Sequence, residues 1–223
     1  MKRITPTIRT ATAALTLATV AGAGHAAVVP ITSNSALSTS GLGAFTGTLD
    51  YVYSGSGSGT LNVTLTNTTA ASIGGYLTAF MFRPPPELGA FTSMLTSSDF
   101  AQMTNIPAGT SGAPWNGSGS WLGGAGVGGS WLAGGSPEDG VAIGQTGHWS
   151  FTITGANASM LTSDSFVSGD LVSDPYAFIV RFRGMDGVDG GEGSDKVPAN
   201  QLPAPGAAAL IGLAGLMVHQ RQA

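Results

Sequence analysis

Residues 60–68 read TLNVTLTNT. Leu61, Val63 and Leu65 alternate strictly with Asn62, Thr64 and Thr66. Successive side chains of a strand point to opposite faces, so this two-residue period predicts a half-buried β-strand with its apolar trio inward. Just upstream, SGSGSG at 54–59 has the composition of a flexible turn. Before it, residues 45–53 read FTGTLDYVY, with Phe45, Leu49 and Tyr51 spaced for one face. Two such runs around a glycine-serine turn predict a β-hairpin.

Further strand signals lie on either side. Residues 73–83, IGGYLTAFMFR, are apolar at nearly every position of their second half, as expected of a central strand covered on both faces. Pro84, Pro85 and Pro86 end it, because proline donates nothing to a ladder. Residues 148–155, HWSFTITG, alternate at Trp149, Phe151 and Ile153, and residues 176–184, YAFIVRFRG, place Arg181 and Arg183 on one face. The middle is less regular. Residues 91–103, FTSMLTSSDFAQM, are expected to hold a short helix, and residues 157–169 a helix or loop. SMLTSSDF at 93–100 echoes SMLTSDSF at 159–166, which predicts two similar corner segments and is too short for a solenoid.

Composition agrees with this pattern. The chain of 223 residues has 35 glycines, 9% charged residues and no cysteine, so no disulfide supports it. Five or six strands at uneven spacing with glycine-rich turns predict an all-β fold: a single β-sandwich, jelly-roll-like, with Gly-rich loops.

The two ends read differently from the body. Lys2, Arg3 and Arg9 precede a small-residue apolar stretch at 11–20, followed by cleavage-prone residues between Ala23 and Ala27. That order predicts a secretory signal peptide over 1–26, entered as an N-terminal helix. The domain then spans 27–200. Its four basic residues, Arg83, Arg181, Arg183 and Lys196, face twelve acidic ones, a net charge of −8. Such a body repels phosphate backbones, so no nucleic acid is expected as a partner. Residues 201–223 end in LPAPGAAALIGLAGLMVHQRQA, an uncharged apolar run at 206–218 closed by Arg221. This predicts a short apolar transmembrane helix whose basic end stays cytoplasmic. The segment is shorter than the roughly 20 residues of an ordinary span.

Pro203, Ala204, Pro205 and Gly206, the apolar run and Arg221 together resemble the PEP-CTERM sorting signal, in its Pro-Ala-Pro form. The family usually has Glu where Ala204 stands, and a fuller basic cluster than Arg221 with His219. The resemblance implies a Gram-negative chain exported through the inner membrane, sorted by an exosortase-type processing enzyme, and delivered to the cell surface or extracellular matrix. Residues 134–199 also resemble a module of uncharacterised exosortase-sorted proteins. That family brings no catalytic residues.

Several motifs remain. Trp115, Trp121 and Trp131 sit in the glycine-rich stretch 113–140. They could form a sugar-stacking surface for exopolysaccharide. The preferred reading makes them anchors of a loop folded onto the domain, since aromatics dominate burial where glycine lets the chain wrap closely. Asp186, Asp189 and Asp195 alternate with glycine in MDGVDGGEGSDK at 185–196, the ligand type that Ca²⁺ selects. Residues 190–198 match one copy of a calcium-binding nonapeptide, but such sites are shared between stacked copies. A solvated acidic loop is therefore preferred, and no cofactor is expected. His148 is the single histidine outside the terminal segments, which argues against a His-based triad or zinc site. Glu138 and Asp139 are adjacent and poorly placed as an acid/base pair. Asn62, Asn67, Asn116 and Asn157 lie in Asn-x-Ser/Thr triplets, read as β-rich composition. The sequence thus points to a non-catalytic exported surface or matrix protein. The alternative is a carbohydrate-binding module, with calcium assisting.

Overall fold

In a computed structural model that describes residues 27–111, 121–132, 134–167, 176–186 and 193–202, ten strands form one antiparallel sheet. They are β1 (Val29–Ser33), β2 (Phe45–Gly55), β3 (Ser58–Asn67), β4 (Gly74–Phe82), β5 (Thr92–Ser98), β6 (Met103–Ile106), β7 (Gly123–Val127), β8 (Thr146–Thr154), β9 (Phe178–Met185) and β10 (Gly193–Gln201). The spatial order is β5-β8-β3-β2-β1-β10-β9-β4-β7-β6. The signal segment 1–26 and the sorting tail from 203 onward lie outside the described residues.

The alternating run lies within one layer as β3, between β2 and β8. β2 and β3 pair in register from Phe45↔Asn67 to Gly55↔Ser58, so Leu49 faces Val63 and Tyr51 faces Leu61. The loop residues Ser56 and Gly57 have φ of 50° and 71°. Positive φ at both central positions is what a two-residue hairpin needs to match the strand twist. Leu61, Val63 and Leu65 are buried, while Asn62, Thr64 and Thr66 are half-exposed. β8 extends the layer on the other side of β3, with Val63↔Trp149 and Leu61↔Phe151.

β10 joins the two layers. Its first part pairs with β9, from Gly193↔Met185 to Pro198↔Ile179, and its last residues pair with β1, from Ala199↔Ser33 to Gln201↔Ile31. The expected all-β class is therefore present, but the two layers are one continuous sheet nearly closed into a barrel, rather than two separate sheets.

The space between the layers holds the main core. Phe80 of β4 stacks on Phe178 at 5.7 Å and meets Trp149 edge-on at 4.9 Å. Phe82 packs edge-on against Phe151 at 4.9 Å and Phe166 at 5.7 Å. Each such ring, once buried, contributes about 1.5–3 kcal/mol. The outer face of the β4–β9 layer is also covered. Ala79, Met81 and Ile179 point there and pack with Ile106, Trp121 and Trp131. This double cover explains why β4 is apolar at almost every position.

Two expectations fail. The short helix expected within 91–103 is instead strand β5 followed by the start of β6. Pairing with β8 from Thr92↔Thr154 to Ser98↔Trp149 decides the matter, since Thr and Ser lack a strong helical preference of their own. The two echo segments also diverge. The first is β5, whereas the second forms two 3₁₀ turns, Ala158–Met160 and Ser163–Phe166. Thr162 and Ser165 close a reciprocal capping box on the latter turn, an option that a partner strand removes in β5. Among the described residues, no helix is long and apolar enough to cross a membrane.

Candidate functional site

The carboxylate of Asp195 is fully buried on β10. Its Oδ1 accepts from the Thr39 hydroxyl at 2.9 Å, the Ser40 N–H at 2.9 Å and the Lys196 N–H at 2.8 Å. Its Oδ2 accepts from the N–H groups of Leu42 and Gly43, both at 2.8 Å. The donors belong mainly to the β1–β2 connection, which runs along the edge of β10 through Asn34 N–H to Pro198 O and Thr39 N–H to Lys196 O. A carboxylate so engaged satisfies the backbone of an irregular strap. It is not the solvated loop carboxylate preferred from the sequence, because it is buried and backbone and hydroxyl donors engage both oxygens. Asp186 sits at the far end of β9, and its own N–H donates to Ile73 O at 2.6 Å. Asp189 lies outside the described residues. Among the described residues, no three His, Cys, Asp or Glu side chains come together as a metal site.

Two of the candidate tryptophans, Trp121 and Trp131, serve the outer core. Trp121 and Trp131 are each 1% exposed, so neither offers a face for sugar stacking. Trp115 lies outside the described residues. The loop after β7 is clamped onto the sheet by the two arginines of β9. Arg181 Nη1 donates to Trp131 O at 2.7 Å, and Arg183 Nη1 donates to Gly134 O and Gly135 O. Burial, with Arg183 nearby, holds the Arg181 pKa down to about 10. Lys196, opposite Arg181 in register, is also lowered, first by burial and then by Arg181. These cations are thus engaged with, or crowded against, the protein's own surface.

The remaining candidates are dispersed. His148 is outward on β8, with Nδ1 at 2.6 Å from Asp99 Oδ2. Glu138 and Asp139 lie in a 3₁₀ turn, and the Glu138 carboxylate, lowered first by this contact, accepts from the Ser136 hydroxyl. Asn67 is fully buried and bridges the ends of three segments, donating to Gly75 O at 3.2 Å and Val141 O at 3.0 Å while accepting from Thr69 N–H. It is a structural amide, not a surface acceptor for sugar.

One concave feature was not singled out by sequence. A cleft of about 630 Å³ opens at one end of the barrel. One wall is the β4–β5 connection, with Pro84, Pro86, Gly89, Ala90 and Phe91. The other comes from Ala108, Gly109, Trp121 and Leu122. Arg83 lines it directly after β4, 8% exposed, with its guanidinium carbon 5.2 Å from the Trp121 ring centroid. Burial lowers the Arg83 pKa. The walls are tied to the sheet by Arg83 N–H to Ala177 O at 3.0 Å, Leu122 N–H to Phe82 O at 3.0 Å and Gly109 N–H to Trp121 O at 2.9 Å. The available signal was Arg83 itself, one of four body cations, placed just before three prolines. No protein-family model, curated protein or solved structure matches the chain.

Proposed function

We propose that this chain is an exported, non-catalytic bacterial surface or matrix protein. Its 27–200 domain is a structural scaffold, a sandwich-like barrel, delivered by a signal peptide over 1–26 and sorted through the tail at 201–223. The observation that carries this reading is the use to which the domain puts its reactive-looking side chains. Asp195 organises a strap, Arg181 and Arg183 clamp a loop, and Trp121 and Trp131 fill a core. Nothing about those roles requires a substrate. The apolar run at 206–218 with Arg221 beyond it supports a transient stop in the inner membrane and handling by an exosortase-type enzyme.

Expression of the precursor in a Gram-negative host tests the delivery half of this reading. The chain is expected to fractionate with the inner membrane. Replacing Leu210 and Leu213 together with aspartate should release it, because each charge costs about 3 kcal/mol at the bilayer centre. Membrane association that survives the double substitution would overturn the tail assignment.

A further inference from the structure

The geometry points to one end of the barrel, where β1 begins and β10 stops, as a surface that docks on a lipid bilayer. This rests on the reading of the 206–218 run as a membrane segment. Several elements meet at that end. Val29 pairs with Leu49, and β2 runs on past it to the hairpin at Ser56 and Gly57. Thr154 pairs with Ser58, so β8 finishes beside the hairpin, and the 3₁₀ turn Ala158–Met160 follows there. The Tyr51 hydroxyl donates to Ala158 O at 2.8 Å. Gln201 Nε2 donates to Asp164 Oδ1 at 2.8 Å, which ties the end of β10 to the same corner. Leu202 N–H donates to Pro30 O at 2.9 Å beside the start of β1.

Two observations select lipid as the partner. The first is reach. Residues 203–205 alone separate Leu202 from the apolar run. An extended chain covers at most about 3.6 Å per residue, so Leu202 stands within about 15 Å of the first residue of that run. The headgroup layer outside the hydrocarbon core takes up about 5–8 Å of this span. A tail seated in the bilayer therefore draws this end of the barrel against the headgroups. The second is what the end presents. Among the described residues six large apolar side chains are exposed, and four of them, Val28, Tyr53, Met160 and Leu202, lie here. Of the other two, Met94 sits on the flank in β5 and Leu132 in the loop after β7. Single exposed apolar residues are ordinary, but their gathering at the end nearest the tail marks a surface. A tyrosine, apolar in body and polar at its tip, suits the bilayer interface. The body has four basic residues against twelve acidic ones, so the contact is apolar rather than an attraction to anionic headgroups.

The chain has no cysteine, so an introduced thiol reports from one place only. Met160→Cys puts a fluorophore at the proposed contact. Ser72→Cys puts the same fluorophore in the exposed β3–β4 connection at the opposite end. The ten residues of β3 hold the two ends about 30 Å apart. The full chain is reconstituted into phosphatidylethanolamine–phosphatidylglycerol vesicles that carry a shallow spin-labelled lipid as quencher. Both variants should float with the vesicles. The Met160→Cys label should lose most of its emission, and the Ser72→Cys label should keep it. Val28→Asp together with Leu202→Asp, added to Met160→Cys, should restore the emission while the chain still floats, because both side chains are exposed and the tail is untouched. Floating chains whose two labels respond alike, or quenching that survives the paired aspartates, would overturn the docking surface and leave the tail assignment standing. A chain that does not float at all would overturn both.

Discussion

Asp195 collects donors from Thr39, Ser40, Leu42, Gly43 and its own neighbour Lys196, and most of these belong to a segment with no regular strand ladder. Buried N–H groups must be satisfied, and here one side chain does for the strap what a neighbouring strand does elsewhere. The ionised form suits the task because it accepts at both oxygens. Asn in its place would keep one acceptor and turn an NH₂ group toward N–H donors. Asp195→Asn is therefore expected to lower stability by about 3 kcal/mol or more, since hydrogen bonds to a charged group are worth about 1.5–3 kcal/mol each and the abandoned donors stay buried. Urea unfolding of the two proteins measures this. A loss under about 1 kcal/mol would mean that the strap is fixed by its other contacts, such as Asn34 to Pro198. In the sequence, Asp195 looked like one of several loop carboxylates. Its role comes from residues 152 to 156 positions away, which no local pattern encodes.

Strands with one wet face were legible because alternation survives only where the two faces differ. β3 and β8 show it cleanly, and β4 was legible through the opposite pattern, a nearly unbroken apolar run between two cores. β7 was not legible. Its residues, GGAGV, are all buried, yet they carry almost no side chain to alternate. The reason is close approach: a Cβ on Gly124 would stand 1.9 Å from Phe80 O. Only glycine lets the two backbones pair beneath the loop that covers them. The cleft was only half legible for a related reason. Arg83 and Trp121 were visible as residue types, but their meeting depends on where the prolines turn the chain and on the pairing of β4 with β7. β3 gives the sharpest element-scale test. Leu65 is fully buried and Thr64 is half-exposed on the opposite face. Leu65→Ala should cost about 2–5 kcal/mol, from lost transfer energy and the cavity left behind. Thr64→Ala should cost less than about 1 kcal/mol, the scale of a cross-strand contact with His148. Denaturant midpoints of the two variants check the register, and equal losses would contradict the inward placement of Leu65.

The sheet as a whole is closed by two different means. At β1–β10 the strands hydrogen-bond directly, so the two layers share one continuous backbone ladder. At the other seam the terminal strands β5 and β6 meet without such a ladder. The Leu95 N–H of β5 donates to the Asn105 side-chain oxygen on β6 at 3.0 Å, and the Ser93 hydroxyl donates to Leu122 O at 2.8 Å. Side chains thus bridge a gap that a closed barrel fills with backbone. Such a seam is the weakest line around the molecule, since edge strands expose unsatisfied groups and open locally at lower cost than the core. Asn105 is exposed, so its removal tests the seam with little disturbance of the interior. Asn105→Ala is expected to reduce global stability by about 1 kcal/mol or less, the net worth of one hydrogen bond. Its local effect should be larger in relative terms. Hydrogen exchange at the Leu95 amide should accelerate by about tenfold, while amides of β3 keep their protection, because opening β5 leaves the β2–β3–β8 pairing in place. An unchanged Leu95 rate would mean that the side-chain bridge does not hold the seam. A uniform loss of protection across β3 would mean that the seam cannot open without the whole barrel, and that the two closures act as one cooperative unit.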